Sequence, residues 1–294
     1  MLTIVRADNS KSLQVLTKRR SLAYPPIMEL GRLNSTKVAD ALTTTRIKRS
    51  ITVLSEVDST NRHVLDMPDD ALDGVVVVAE RQTQGRGRRG NQWQCPAGAG
   101  LLCTVGLADL NSTIDANLLS LVVPIALSEG IFNETGLRTE IKWPNDLVFR
   151  GRKLSGILIE AQTSGANNIR YAVGFGINCL QHRGHFDESI RDQATSLDLE
   201  SDSPINREAV LASVLNALDA RLLQSGRWSA DRICGEWRSL AAGLGGRCEV
   251  QENGRAFSGN LIDIDPNAAI IVQLDEGGRR LFNAASTTVL SLTM

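Results

Sequence analysis

The residues best suited to chemistry sit in a short run, Glu80-Arg81-Gln82-Thr83-Gln84-Gly85-Arg86-Gly87-Arg88-Arg89-Gly90-Asn91-Gln92-Trp93, where four arginines are interleaved with three glycines. Glycines let the backbone pass close to a ligand, and guanidinium groups offer forked donors that match carboxylate and phosphate oxygens. The run follows the apolar stretch Val75–Ala79 directly. The end of a buried strand is where open sheets place ligands, so a site for a multiply anionic small molecule is expected. A solvated basic loop or an RNA-binding tract is the competing reading, and the lack of a repeating arginine-glycine unit counts against it.

Three further clusters join it. In Ile141-Lys142-Trp143-Pro144-Asn145-Asp146 a strand breaks at a proline into a polar turn, and Lys153 heads the next apolar run, Leu154–Ala161. Lys153 reads either as a solubilising edge charge or as a point charge aimed at an anion. Asp146 reads as a turn carboxylate or as the acceptor of a proton from an amine. Ala172-Val173-Gly174-Phe175-Gly176-Ile177-Asn178 interrupts a strand with two glycines, which implies close approach of a ligand or a neighbouring element, and Asn178 adds an amide able to read a base or ribose. Glu56-Val57-Asp58-Ser59-Thr60-Asn61 sets hydroxyls and an amide at a helix start, suited to capping or to a polar head group. The GxG of Gly174 and Gly176 lacks the GxGxxG opening of a helix, the chain contains no GxxxxGK(S/T) P-loop, and His63, His182 and His185 form no nucleophilic triad.

The elements that must position these groups follow from patterning. Strands are expected at Ile51–Leu54, Val75–Ala79, Leu101–Leu107, Glu140–Trp143, Leu154–Ala161 and Ile169–Cys179, with helices after Asn61, over Leu118–Gly136 and over Arg207–Gln224. From Gly245 onward short alternating runs are separated by Asn253-Gly254, Asp265-Pro266-Asn267 and Glu276-Gly277-Gly278, which predicts a small β-barrel or sandwich. Residues 1–50 read as a basic appendage. The whole chain has 294 residues, 42% of them hydrophobic, and a net charge of -1. That balance excludes a surface tuned throughout to nucleic acid or anionic membrane. No run of about 20 apolar residues suggests a membrane span, so the cytoplasm is the expected location. The five scattered cysteines form no CxxC pair and read as buried thiols in a reducing compartment, with no protein metal site expected.

Taken in order, these motifs resemble the biotin protein ligase, or biotin-[acetyl-CoA-carboxylase] ligase, family from about Ile51 to the C-terminus. The arginine-glycine loop Gly85–Gly90 with Trp93 and Pro96, the Lys142–Asp146 turn and the Lys153–Ile157 strand carry the likeness. The resemblance implies an α+β fold: a central mixed β-sheet with helices on one side, forming a class II synthetase-like catalytic domain over residues 51–240, and a small C-terminal SH3-like β-barrel over 241–294. It implies activation of biotin with ATP to biotinyl-5'-adenylate, Mg2+ accompanying the triphosphate, and transfer of biotin to a lysine of a biotin carboxyl carrier protein. By the same resemblance Ser59, Thr60, Asn61 and Gln82 meet biotin. Gly85, Arg86, Gly87, Arg88, Lys153 and Gly156 surround the carboxylate and adenylate, Asn178 lies near the nucleotide and Asp146 near the acceptor lysine. Arg88, Lys153 and Asp146 carry the catalytic roles, and the loop closes over the adenylate to exclude water.

Longer relatives carry a repressor winged helix, for which residues 1–50 are too short. Ser12–Tyr24 would be a remnant of the wing and Leu33–Leu42 a linker helix, so DNA binding is not expected unless helices precede Met1. A homodimer through an exposed sheet edge is also implied. The rival readings are a lipoate ligase or octanoyl transferase, which the arginine-glycine loop disfavours, and a ligand-sensing DNA-binding protein, which the short N-terminal segment disfavours.

Overall fold

Val76-Val77-Val78-Ala79 presents no polar face to water, and in the computed structural model all four residues are buried as the second strand of a seven-stranded sheet. The structure describes residues 31–108, 116–164, 168–224 and 229–293. The proposed wing remnant Ser12–Tyr24 lies outside the described residues. The first part of the chain runs α1 (Ser35–Ala41), β1 (Ile51–Leu54), α2 (Thr60–Leu65), α3 (Asp69–Leu72), β2 (Val76–Ala79), β3 (Gly100–Ala108), α4 (Ala116–Thr135), β4 (Glu140–Lys142), β5 (Asp146–Phe149), β6 (Arg152–Ser164) and β7 (Asn168–Asn178). It continues through α5 (Leu197–Glu200), α6 (Arg207–Gln224), α7 (Ala230–Leu240), β8 (Arg247–Glu252), β9 (Arg255–Ile264), β10 (Ile270–Leu274), β11 (Arg279–Phe282) and β12 (Thr287–Leu292). The large sheet has the order β1-β2-β3-β7-β6-β5-β4 and is mixed, because β1 and β2 run parallel while the remaining pairs are antiparallel.

Its two faces do different work. Leu101, Cys103, Val105 and Leu107 of β3 and Val173, Phe175 and Ile177 of β7 point into the main core, shared with Leu119, Val123 and Leu127 of α4 and Val214, Leu215 and Leu218 of α6. The alternate residues of the same strands face the other way, where α2 and α3 pack through Val64 and Leu72 against Val77 and Ala172. Helices therefore cover both faces, not one as expected, because the short α2 and α3 have apolar residues that need a second seat. By length and composition α4 could cross a membrane, contrary to the expectation that no segment would. Its span Asn117–Thr135 is 61% buried inside the protein, as befits a core helix.

Residues 31–48 are part of the core and not an appendage. Leu33, Val38, Leu42 and Ile47 are buried, and the buried Asp219 carboxylate of α6 accepts from the backbone N–H groups of Thr45, Arg46 and Ile47. At the other end, β8 to β12 form an antiparallel sheet of order β11-β10-β9-β8-β12. Its buried residues Val250, Leu261, Ile270, Val272 and Phe282 are continuous with the main core. Trp143, directly after β4, donates its indole N–H to Ala268 O at 2.9 Å and so ties the two sheets together.

Candidate active site

The start of α2 lies over the sheet face that the main helices leave uncovered. Thr104, fully buried on β3, places its hydroxyl 2.8 Å from Thr60 Oγ1 and 2.6 Å from Asn61 Oδ1. Gln82 Oε1 accepts from Thr60 N at 2.8 Å. Asn61 Nδ2 donates to Leu158 O at 3.0 Å and to Glu160 Oε2 at 2.8 Å. A buried polar cluster is costly unless satisfied, and this one is closed on itself, which fixes the side chains in position. Ser59 precedes α2 but makes no capping bond with its side chain, unlike the usual role of serine there. It lines a cavity of about 160 Å3 together with Thr60, Gln82 and Arg88.

The floor of that cavity is glycine. Gly156 of β6 pairs with Gly176 of β7, and with Gly174 they form a strip without side chains. A Cβ on Gly176 would come within 2.6 Å of Trp93 Nε1, one on Gly156 within 2.8 Å of Trp93 Cζ3, and one on Gly174 within 2.8 Å of Asn61 Cγ. The glycine interruption in β7 is therefore a seat for the Trp93 indole and the Asn61 amide.

The arginine-glycine loop folds back as a tight hairpin over this floor. Trp93 N donates to Gly85 O at 3.0 Å, Gly87 N to Asn91 O at 2.7 Å, and Arg86 pairs with Gln92. The turn needs left-handed backbone at Arg89 and Gly90, with φ of 56° and 78°. Arg86 pairs with Glu160 at 3.1 Å, and Lys153 Nζ lies 2.7 Å from Asp146 Oδ1 and 5.6 Å from the centre of the Trp93 ring. Arg88 differs, since its guanidinium donates to the carbonyl of Ala284 and among the described residues no carboxylate pairs with it. Burial and the neighbouring Arg89 charge pull its pKa down, while Asp146 acts in the opposite direction. The result is a cation without a direct carboxylate partner among the described residues, lining a cavity that continues into a more open space of about 770 Å3 beside the loop.

Of the residues expected at the site, Ser59, Thr60, Asn61, Gln82, Arg86, Gly87, Arg88, Asp146, Lys153 and Gly156 all line the cavity. Gly85 stands at the base of the loop and lines the adjoining space. Asn178 stands apart. It is buried, donates to Thr195 O at 2.9 Å and accepts from Gln181 Nε2 at 2.9 Å, so its amide is engaged within the chain. Asp146 and Lys153, expected in separate roles, form one ion pair because β5 and β6 are adjacent strands of a hairpin. Nothing in the sequence marks Thr104 or Glu160 as a site residue, whereas Gly174 and Gly176, expected as a place of close approach, form the bare face.

Residues 53–178 match the model of the biotin/lipoate A/B protein ligase family. The biotin--[acetyl-CoA-carboxylase] ligase of Mycobacterium tuberculosis is 31% identical over 249 residues, covering 82% of this chain and 89% of that protein. The bifunctional ligase/repressor BirA of Bacillus spizizenii is 28% identical over 90% of this chain and 82% of its own length. Among solved structures, the biotin protein ligase from Aquifex aeolicus in complex with biotin and ATP superposes with a TM-score of 0.71 at 27% identity, over 82% of this chain and 99% of that one. The class is thus that of ligases that attach a cofactor acid to a protein. Within it, the chain belongs to the biotin protein ligase family.

Proposed function

We propose that the cavity between α2 and the arginine-glycine loop joins biotin to ATP and passes it to a lysine of a carboxylase carrier protein. The observation that carries this reading is Arg88, a partly buried cation with no carboxylate partner among the described residues, held over a glycine floor and opposite the polar cluster of Ser59, Thr60 and Gln82. Activation brings a carboxylate oxygen onto the α-phosphorus while pyrophosphate leaves, so two anions must be forced together. Fixed positive charge that grows more effective as charge builds in the transition state favours that step. Arg86, Arg88 and Lys153 supply it. Mg2+ would enter with ATP as part of the substrate and would offset the charge of the triphosphate.

In the second step the acceptor amine attacks the acyl carbon of the mixed anhydride, AMP leaves, and the amine gives up a proton. Asp146 is suited to receive that proton, and its pairing with Lys153 at 2.7 Å holds the carboxylate at the wall of the cavity. Trp93 and the loop cover the intermediate and limit hydrolysis. In this reading, residues 51–240 are the catalytic domain and residues 241–294 the β-domain that backs the loop. The outer edge of β4 is already paired, since Ile141 O accepts from Ala242 N at 2.9 Å, so β1 is the edge of the large sheet left for pairing into a homodimer.

Incubation with ATP, an acceptor carrier domain and either biotin or lipoate tests the reading. Biotin-dependent labelling of one acceptor lysine with release of pyrophosphate is the expected result. Labelling from lipoate alone, or no pyrophosphate release with biotin, overturns it.

A further inference from the structure

The arginine-glycine loop starts and ends at one residue. Glu80 follows the last residue of β2, its N–H donates to Leu54 O at 2.9 Å, and its carbonyl accepts from Gly98 N at 3.2 Å, where the chain returns. Its side chain turns away from the cavity into the protein. Glu80 Oε2 accepts from Arg207 Nη1 at 2.8 Å, and Glu80 Oε1 accepts from the backbone N–H of Leu33 at 2.6 Å. Arg207, the first residue of α6, also donates to Gly100 O at 3.0 Å and to Gly31 O at 2.7 Å. Both charged side chains are at least nine-tenths buried.

Four parts of the chain thus meet on one ion pair: the foot of the loop, the start of β3, the start of α6 and the segment before α1. Burying two charges is unfavourable unless the surrounding donors and acceptors are all in place, and a pair with a single satisfied arrangement holds its neighbours to one geometry. An apolar plug would fill the same space without specifying direction. We propose that Glu80 and Arg207, with the backbone of residues 31–33, form a positioning junction that aims the arginine-glycine loop at the cavity. Neither residue lines the cavity, so each acts through the loop. The proposal rests on the reading of that loop as the cover of the active site.

The test compares Glu80→Gln, Glu80→Asp and Arg207→Lys with the unaltered full-length chain. The first readout is independent of ligase activity: the rate at which trypsin cuts the native protein after Arg86, Arg88 and Arg89, with the melting temperature recorded for each variant. Glu80→Gln and Arg207→Lys are expected to raise loop cleavage at least about tenfold at a temperature where both remain folded, and Glu80→Asp, which keeps the charge, to restore much of the protection. The second readout is kinetic. The KM for ATP is expected to rise about tenfold and biotinyl-adenylate to escape into solution, while transfer from adenylate already bound changes less. Loop cleavage and KM equal to those of the unaltered chain in both Glu80→Gln and Arg207→Lys overturn the junction. If either variant unfolds, Glu80→Asp, with its carboxylate held shorter, must still show an intermediate cleavage rate, and a rate equal to that of the unaltered chain overturns the proposal as well. Failure of the unaltered chain to release pyrophosphate with biotin overturns the functional reading instead, and the proteolysis result still decides the junction.

Discussion

With Asp146 2.7 Å from its ammonium group, Lys153 meets an incoming anion as half of an ion pair, and that sets how its removal should read. In Lys153→Met the aliphatic stem is kept over Trp93 but the charge is lost. Loss of one preorganised charge-stabilising donor costs on the order of a hundredfold in rate, about 2.7 kcal/mol. The adenylation step, followed by pyrophosphate release, should slow by that factor, while transfer from supplied biotinyl-adenylate slows less. An equal loss in both steps would place Lys153 in the acceptor step instead. The thiols provide a second test at this scale. Burial pushes the Cys95 thiol up to about 12 from its ordinary 9.0, and it also raises Cys103 and Cys179. A thiol raised on folding contributes stability below pH 9 that is lost as pH climbs from 9 towards 12, because the unfolded chain ionises first. At pH 8 the Cys95 thiol is therefore held in its protonated, unreactive form. Iodoacetamide at pH 8 should leave the buried Cys103 and Cys179 unlabelled until urea is added, while the partly buried Cys95 reacts slowly; modification of Cys103 or Cys179 in the native protein at the rate of a free thiol would contradict their enclosure.

At the scale of elements, the contact between α4 and α6 depends on Gly130. A Cβ there would come within 2.7 Å of Val214 N, and the atom in the way is backbone that cannot rotate aside. Gly130→Ala should destabilise the protein by about 1–3 kcal/mol, the cost of overpacking, seen as a lower urea midpoint with an unchanged slope. An unchanged midpoint would mean that the two helices separate freely. Long elements such as α4 and α6 were legible in the sequence, because apolar residues extend over 20 and 18 residues, too far for a strand, and Gly136 stops the first of them. Short ones were not. β5 is four residues long and is not among the expected strands: its first residue, Asp146, carries turn chemistry with Asn145, and only pairing with β6 makes Asp146–Phe149 a strand. α7 is absent from the expected elements although Ile233, Cys234 and Trp237 recur on one face at helical spacing, a stripe its many charged residues outnumber but do not hide. The glycines of β7 were legible as a place of close approach, but their occupants were not. Trp93 and Asn61 come from segments more than 80 and 110 residues away, and no local pattern encodes such a meeting.

Across the whole molecule, the near-zero net charge hides a division of labour between the two sheets. The catalytic sheet supplies the floor and the polar cluster, whereas the second sheet holds the loop that carries the cations. Arg88 donates to Ala284 O, and Arg89 donates to Ala285 O at 3.1 Å and to the hydroxyl of Thr288. The C-terminal strands were foreseen from their turns, but their grip on the loop was not, because it runs between residues almost 200 apart. Arg89 is exposed and its partners are neutral, so its removal should leave the core intact. Hydrogen bonds from a charged donor contribute about 1.5–3 kcal/mol when well formed, and partial exposure reduces that. Arg89→Ala is therefore expected to raise the KM for ATP about three- to tenfold and to increase the fraction of biotinyl-adenylate that escapes before transfer, with a melting temperature within about 2 °C of the unaltered chain. Thr288→Val, which removes one partner and keeps the shape, should show the same pattern more weakly. If both variants retain the adenylate as well as the unaltered chain does, the second sheet does not hold the loop, and closure would have to come from the hairpin bonds of residues 85–93 alone.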